Sequence, residues 1–286
     1  MSAQPQRKTT SKGSLKPILK WAGGKRWLLP HLEPIWSPFN HMRLVEPFGG
    51  GLAVTLGLNP HAALVNDINL HLINLYRWVR AGLRITIPME NDETLFYQHR
   101  TRFNKLIEAG RSNSKEAAEL LYYLNRTCFN GLYRVNSKGQ FNVPFGKYKI
   151  INYMRDFADY QETFSQWELS CSDFERLQLL DNDFVYADPP YDVEFTKYAK
   201  DDFKWGDQVR LAQWLSAHSS PVVLSNQATR RIVQLYKELD YDIQLLKAPR
   251  RISCTGDRTP AMEVFATKNI QGGQAVIVRW KKPGLE

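Results

Sequence analysis

With 286 residues, 43% of them hydrophobic, the chain can bury one large core or two smaller ones, and no apolar run is long enough to predict a membrane-spanning helix. Three cysteines without C-x-x-C spacing argue against a disulfide framework or a cysteine zinc site, so we expect a cytoplasmic protein without a metal. The formal net charge is +9, and the excess lies in two acid-free basic stretches, residues 1–32 and 120–155, which indicate either a nucleic-acid partner or a solvated basic face.

The first part of the chain predicts strands that alternate with helices. Residues 1–15 are polar and basic, without the apolar stretch of a secretory signal, and are predicted to be a disordered tail. Segments 43–48 and 62–67 have the composition of short buried strands, and a helical pattern starts at Ile68. This order is typical of a sheet covered by helices.

The middle of the chain has a different pattern. Residues 92–127 have helical periodicity in two pieces, separated near the sequence AGRSNS. Residues 128–149 have little helical period and contain Asn-Gly and Lys-Gly turn signals. A helical and loop-rich stretch between two α/β stretches predicts an inserted domain.

Alternation resumes after Trp167. The predicted strands lie at residues 167–172, 184–188, 221–226, 241–249 and 262–268, and the predicted helices at 208–217 and 229–239. Together with the first part of the chain, this spacing predicts a doubly wound α/β sheet.

Two motifs at predicted strand ends point to a cofactor. In doubly wound sheets, ligands bind beyond the carboxyl ends of the strands. The sequence EPFGGG at residues 46–51 would let a cofactor approach the backbone, and Asp67 ends the next strand, where an acid accepts hydrogen bonds from a ribose. Without a full G-x-G-x-x-G, a cofactor with ribose but no phosphates fits better than a dinucleotide, and an ordinary glycine turn capped by Asp67 is the alternative.

The sequence DPPY at residues 188–191 follows another predicted strand. Proline cannot continue the ladder, so the strand ends with the Asp188 carboxylate, the Pro189 carbonyl and the Tyr191 ring together. Such a set suits a planar ring with an exocyclic amino group, which would stack on the tyrosine and donate to the two acceptors. Its nitrogen lone pair would then be free to attack an electrophile. A proline-rich turn is the structural alternative.

Several motifs together resemble the DNA adenine-N6 methyltransferases of the Dam type (D12 class, alpha-group motif order). They are LKWAGGK, VEPFGGG, ND, LNR…NGL.R…G.FNVPFG.Y, DPPY and LSN, in that order between residues 16 and 268. The resemblance implies an α/β, Rossmann-like S-adenosylmethionine-dependent methyltransferase fold with an inserted, mainly helical target-recognition domain. The catalytic domain would comprise residues 16–82 and 156–270, the recognition domain 83–155, and a C-terminal tail 271–286.

The resemblance also implies an activity. The enzyme would transfer a methyl group from S-adenosylmethionine to N6 of an adenine in double-stranded DNA, without a metal. We expect it to act as a monomer. The adenine would be flipped out of the duplex, because its N6 cannot be reached inside the stack. Direct SN2 transfer would then depend on orientation and preorganised electrostatics.

Site residues follow position by position from the same resemblance. The implied catalytic residues are Asp188, Pro189, Pro190 and Tyr191. The implied cofactor-binding residues are Trp21, Lys25, Glu46, Pro47, Phe48, Gly49, Gly50, Asp67 and Asp188. The implied DNA-binding residues are Lys20, Arg126, Phe129, Asn130, Leu132, Arg134, Pro144, Lys147 and Tyr148. Residues 125–148 resemble the family's GATC-reading region, in which Arg134 matches an arginine that reads guanine, so the implied target is GATC.

Two positions depart from the family's pattern. Leu52 stands where the second glycine of the glycine motif is usual, so the path of that loop is open. Lys147 stands where arginine is common, which keeps the charge but loses the bidentate fork.

Other interpretations stay open from sequence alone. Methylation of cytosine N4 or of adenine in RNA can use a similar tetrapeptide, and a DNA-binding regulator could keep the fold without turnover. Arg250–Arg251 could contact phosphates or form a solvated turn, and a restriction endonuclease is a candidate partner.

Overall fold

A seven-stranded sheet organises the chain in a computed structural model that describes residues 15–192, 203–249 and 261–270. Its strands are β1 Arg43–Glu46, β2 Ala63–Asn66, β3 Trp167–Ser170, β4 Asp183–Ala187, β5 Val222–Gln227, β6 Asp242–Ala248 and β7 Ala261–Lys268. Their order in the sheet is β3-β2-β1-β4-β5-β7-β6. The first five strands pair in parallel, whereas β7 is antiparallel to both β5 and β6. The predicted α/β class is confirmed, but alternation alone did not indicate the reversed last strand.

Helices cover the sheet. In the described part of the chain they are α1 Leu29–Trp36, α2 Thr55–Leu58, α3 Leu70–Arg80, α4 Glu93–Glu108, α5 Lys115–Thr127, α6 Ala158–Phe164, α7 Trp205–Ser216 and α8 Arg230–Glu238. The break predicted between two middle helices is confirmed between α4 and α5. Helix α1 was not predicted. It tolerates Pro30 in its first turn, where no intrahelical N–H is needed, and also contains Pro34.

The central strands are buried on both faces, which explains their apolar composition. Every residue of β4 is buried, including Asp183, whose carboxylate accepts hydrogen bonds at 2.8 Å from both Nε and Nη2 of Arg43 on β1. The burial of this charge is offset by its pairing. These strands therefore hold the residues that follow them in fixed positions.

The two ends of the predicted inserted domain, residues 83–155, lie side by side. Arg84 forms an isolated antiparallel bridge with Asp156, and the Ile85 amide donates to the Arg155 carbonyl at 3.0 Å. Helix α5 packs against α3, and a single hydrophobic core runs from the sheet into both middle helices. The domain boundaries at 83 and 155 stay a prediction.

Some sequence predictions fall outside the described residues. These are the tails at 1–14 and 271–286 and the basic pair Arg250–Arg251. No helix in the described ranges combines the length and the apolar composition needed to cross a membrane.

Candidate active site

A cleft of about 610 Å³ opens at the carboxyl ends of β1, β2 and β4. All of the residues predicted for catalysis and cofactor binding line it, although they come from four separate stretches of the sequence. Parallel strands bring their carboxyl ends to the same edge of the sheet, so the motifs that follow them meet. The individual roles of these residues remain predictions.

The glycine motif makes a tight turn on one wall of the cleft. The Leu52 amide donates to the Gly49 carbonyl at 2.8 Å, and Gly50 has a left-handed backbone, with φ of 44°. A Cβ atom at Gly50 would lie 2.9 Å from Nε1 of Trp21. Only glycine therefore lets the Trp21 ring lie against the turn.

Leu52 adopts the backbone conformation that favours glycine. Its φ is 57°, and its side chain is completely buried in the core. At the position where the chain departs from the family's glycine pattern, Leu52 thus has a left-handed backbone. Burial of the leucine side chain offsets the local backbone strain.

Two carboxyl groups stand beside the glycine turn. Asp67 accepts from the Gly50 amide and the Asn69 amide, each at 2.8 Å, and burial raises the pKa of its carboxyl. Glu46 is 4% exposed and accepts from the Thr55 hydroxyl. Burial is the main cause that raises the pKa of Glu46 to about 8, against the Thr55 hydrogen bonds. Both groups can accept hydrogen bonds from a cationic ligand.

Asp188 lies at the floor of the cleft with one oxygen engaged. Its Oδ1 is 2.9 Å from the Ser225 hydroxyl and 3.2 Å from Lys25 Nζ. No donor in the described part of the chain is bonded to its Oδ2. Burial raises the pKa of Asp188 to about 6, while Lys25 and the Ser225 hydrogen bond act in the opposite direction. The carboxylate is therefore ionised at neutral pH with an oxygen left to accept.

The two prolines of DPPY have different surroundings. The Pro190 carbonyl accepts from Gln208 Nε2 at 2.8 Å, and Asn226 Nδ2 holds Gln208 Oε1 at 2.9 Å. Among the described residues, no donor is bonded to the Pro189 carbonyl. The Pro190 carbonyl is thus used to fix the loop, and the Pro189 carbonyl remains an acceptor at the cleft.

Sequence reasoning missed a buried acid next to this site. Glu263 on β7 is 5% exposed, with its Oε1 3.4 Å from Lys25 Nζ. The Tyr191 hydroxyl also donates to this oxygen and accepts from Lys25. The available signal was a single acid within the apolar first part of β7, since a buried charge requires a partner.

The remaining lining includes side chains to which sequence reasoning assigned no role. Ile68 follows Asp67 and is 74% exposed at the rim. Asp173, Phe174 and Phe203 also line the cleft. They supply apolar surface and one further carboxylate.

Residues 128–149, here called the recognition segment, form an irregular hairpin with bridges Cys128–Phe145 and Val135–Phe141. The Asn-Gly turn signal is confirmed, because Asn130 and Gly131 both have positive φ, as a type I′ turn requires.

The side chains predicted to bind DNA are mostly at the surface of this segment. Phe129 is 49% exposed, and Asn130, Arg134, Pro144 and Lys147 are also exposed. Leu132 is half-buried. Lys20 and Tyr148 are brought together, with the ammonium 3.7 Å from the ring centroid. Arg134 Nε donates to Asn142 Oδ1 at 2.7 Å, which orients its guanidinium.

Arg126 has a different environment. It is half-buried on α5, and its guanidinium donates to the Ile18 carbonyl. In this structure the side chain joins the N-terminal segment to α5, and its predicted DNA contact stays a prediction.

Asn125 connects the recognition segment to the cleft. Its side chain accepts from the Lys20 amide at 2.9 Å and donates to the Lys20 carbonyl at 2.8 Å. It also donates to the Gly131 carbonyl at 3.0 Å. Because Trp21 follows Lys20 in the chain, one buried side chain fixes the backbone of both regions.

Comparison with known proteins agrees with this geometry. The family described as D12 class N6 adenine-specific DNA methyltransferase matches residues 21–252. The chain belongs to this family. Membership implies S-adenosylmethionine as methyl donor and DNA as substrate, and it selects adenine N6 among the alternatives that the sequence left open.

Similar proteins carry matching names. The type II methyltransferase M1.LlaDCHI of Lactococcus lactis is 37% identical over 84% of this chain and 90% of its own length. The retron Ec67 DNA adenine methylase of Escherichia coli is 35% identical over 88% of this chain and 91% of its own length. The DNA adenine methylase of Escherichia coli K12 is 33% identical over 84% of this chain and 90% of its own length.

The cleft of this D12 methyltransferase fits the implied methyl donor. Its volume lies in the usual range for small-molecule sites. The glycine turn leaves room that a Cβ atom would fill, and the nearby carboxyl groups complement a positively charged ligand. The described residues contain no group of three or more His, Cys, Asp or Glu side chains that could hold a metal ion.

Proposed function

We propose that this D12 methyltransferase transfers the methyl group of S-adenosylmethionine to N6 of an adenine flipped out of double-stranded DNA, within the sequence GATC. One observation carries the proposal. Asp188 Oδ2 and the Pro189 carbonyl have no donors in the described part of the chain, and both stand at the cleft beside the Tyr191 ring. An amino group has two N–H donors, which match these two acceptors.

The protein groups act on the adenine in three ways. Tyr191 offers its ring as a stacking surface, and its hydroxyl is bonded within the site, so the ring is held in place. Asp188 and the Pro189 carbonyl accept from the amino group and orient its nitrogen. The surplus proton leaves N6 after transfer, and the ionised Asp188 can accept it before it reaches solvent.

The part of the cleft formed by the glycine turn and the nearby carboxyl groups is assigned to the methyl donor. Glu46 and Asp67 would bind its polar groups, and the glycine turn and Trp21 would lie beside it. When bound, S-adenosylmethionine supplies a methyl group on a positively charged sulfur, which an amino nitrogen can attack directly. The carboxylates of the cleft favour that positive charge.

The recognition segment is assigned to the DNA. Exposed cations at Arg134 and Lys147 can contact bases or phosphates, and the exposed Phe129 ring can enter the base stack. Arg134 is oriented by Asn142, so its guanidinium can offer a paired donor edge to a guanine. We infer GATC from the carried-over positions in this segment.

Methyl transfer can be tested directly. The protein is incubated with methyl-labelled S-adenosylmethionine and duplexes that contain GATC, scrambled GTAC or no adenine. We expect label on N6 of the GATC adenine, and loss of at least about a hundredfold in rate for Asp188→Asn, because an acceptor is removed where orientation depends on it. Asp181→Asn, an exposed residue at the other end of β4, is the matched control and keeps the rate.

Several outcomes would contradict the proposal. Label on cytosine or only on RNA would reject the substrate. Binding without transfer that Asp188→Asn does not change would favour a DNA-binding regulator. Full activity of Asp188→Asn would reject the assigned site.

Sequence preference needs its own measurement. Arg134→Ala should lower kcat/KM on GATC by about 10- to 100-fold, which corresponds to the roughly 1–3 kcal/mol of a bidentate contact. It should lower the rate less on duplexes in which the guanine is replaced. Lys138→Ala, an exposed cation of the same segment, should change all duplexes equally. Equal loss on every sequence for Arg134→Ala would reject base reading by this residue.

The biological setting is a further part of the proposal. One relative is a type II methyltransferase, so we propose a cognate restriction endonuclease as a partner, with the enzyme acting as a monomer in the cytoplasm. Cleavage of unmethylated but not methylated GATC by a nuclease from the same source would support this.

A further inference from the structure

Glu263 is a buried acid that the proposed mechanism does not use, and it contacts two residues that line the cleft, Lys25 and Tyr191. It lies on β7, opposite Gln227 of β5 and Leu246 of β6. Because β7 is antiparallel, its first residues stand at the same edge of the sheet where β4 and β5 end. This reversal places the carboxylate beside a loop far away in the sequence.

Lys25 is shared between two carboxylates. Its Nζ is 3.2 Å from Asp188 Oδ1 and 3.4 Å from Glu263 Oε1, and it also donates to the Tyr191 hydroxyl. The three ammonium donors thus have three acceptors. The lysine is 3% exposed, so water does not replace a missing partner easily.

Sharing of the Lys25 ammonium affects how well Asp188 can accept a hydrogen bond from the substrate. If Lys25 had a single carboxylate partner, its ammonium would lie fully on Asp188 and compete with a substrate amino group. A second carboxylate on the other side holds the ammonium back. The Tyr191 hydroxyl, which donates to Glu263, is fixed by the same arrangement.

We propose that Glu263 is a positioning residue that shares the Lys25 ammonium with Asp188. By this contact it keeps one oxygen of Asp188 available to the amino group and holds the Tyr191 ring at the base of the site. The role rests on the methyl transfer proposed above and adds a residue to its machinery. The other oxygen, Glu263 Oε2, is buried and has no hydrogen-bond partner in the described part of the chain, so the contacts of this carboxylate with Lys25 and Tyr191 are made through Oε1.

The experiment measures single-turnover methylation per active site, with sites counted by binding of labelled S-adenosylmethionine. Glu263→Gln keeps the shape and an acceptor oxygen but removes the charge. We expect a rate loss of about 10- to 100-fold, the size of a small misplacement of a reacting group, with KM for DNA and cofactor changed less than about threefold. Glu168→Gln, a strand glutamate bonded to Arg43 outside the cleft, is the matched control and keeps the rate.

A double-mutant cycle tests whether Glu263 acts through Lys25. In a Lys25→Met background, Glu263→Gln should change the rate by less than about threefold, because the shared partner is gone. If the two losses multiply, Glu263 does not act through the lysine and the proposal fails.

The pH profile gives a readout that a merely structural role would not move. The negative charge of Glu263 raises the pKa of Asp188, so Glu263→Gln should shift the acid limb of the rate to lower pH. Other titratable groups facing Asp188 in the described chain stay in place in the comparison; they are Lys25, Glu46, Tyr186, Tyr191 and Tyr236.

The two proposals can fail separately. A wild-type rate and an unshifted acid limb for Glu263→Gln, with Asp188→Asn inactive, would reject only the positioning role. Activity of both variants would reject the proposed site itself.

Discussion

The cleft and the recognition segment hold their polar side chains in different ways. In the cleft, Lys25, Asp188 and Glu263 are largely buried, and the Lys25 ammonium lies 3.2 Å from Asp188 and 3.4 Å from Glu263. In the recognition segment, Phe129 and Arg134 are exposed, and the hydrogen bonds of the segment are mostly local. An interior arrangement set before the substrate arrives suits chemistry that depends on orientation. Exposed side chains on a turn-rich segment suit a surface whose hydrogen-bonding and charge partners are groups of the bound DNA.

The largest effect is expected where the two regions meet. Asn125→Ala would leave the backbone groups of Lys20 and the Gly131 carbonyl without their side-chain partner. We expect a loss of about 2–4 kcal/mol in the free energy of unfolding, since several buried groups lose hydrogen bonds together. Cofactor affinity and selectivity for GATC should fall together in this variant, measured by cofactor titration and competitive methylation.

Asn104→Ala is the matched control for that variant. Asn104 on α4 bonds the backbone N–H and C=O of Phe141, at 2.8 and 3.1 Å, so its side chain holds the recognition segment but does not bond to the cleft. The Asn104→Ala variant should have a lower free energy of unfolding and lower selectivity for GATC, but an unchanged affinity for the cofactor. If both variants weaken the cofactor equally, the two regions are not separable in the way that their contacts suggest.

A second prediction concerns the cleft alone. Leu52→Gly would relieve the left-handed strain but remove a completely buried side chain. The lost burial is worth about 2–5 kcal/mol and the relieved strain about 1 kcal/mol, so we expect a net destabilisation of about 1–4 kcal/mol by urea unfolding. Asn59→Gly changes another left-handed residue, exposed at the end of α2, and should be neutral or slightly stabilising. A more stable Leu52→Gly protein would show that strain dominates in the glycine turn.

The difference between the regions also explains what the sequence could predict. The glycine turn, Asp67 and DPPY each follow a predicted parallel strand, and parallel strands necessarily bring their ends together. The position of Glu263 depends on the reversal of β7, for which no local pattern exists. Arg126 was predicted to bind DNA, but its guanidinium donates to the Ile18 carbonyl. The number of basic residues in a segment does not show which of them are exposed and which are bonded within the protein. Helix α1 was missed because its prolines are typical of breakers.

A third prediction uses the pH dependence of cofactor binding. Burial raises the pKa of Glu46 to about 8, so the side chain is mostly protonated at pH 7. A cationic ligand favours the ionised form, and affinity should therefore rise with pH, by about tenfold from pH 7 to 9 if only the carboxylate binds. The amino group of the cofactor titrates in the same range, so the difference between wild type and Glu46→Gln is the quantity to measure by calorimetry. Identical profiles would remove Glu46 from the cofactor site.

The smallest effect should separate stability from DNA binding within the recognition segment. Lys147 is exposed and has φ of 47°, so its backbone is strained although its side chain can meet a phosphate. Lys147→Gly should raise the free energy of unfolding by about 0.5–1 kcal/mol, because glycine accepts the left-handed conformation without strain. The same change should make the slope of log affinity against log salt less steep by about one, the contribution of a single phosphate contact.

Lys147→Ala is the control, because it removes the charge without relieving the backbone. It should show the same salt slope as Lys147→Gly and no gain in stability. A salt slope equal to that of wild type in both variants would mean that this lysine does not meet the DNA backbone, and the exposed cations of the segment would then have to be assigned again, starting with Arg134.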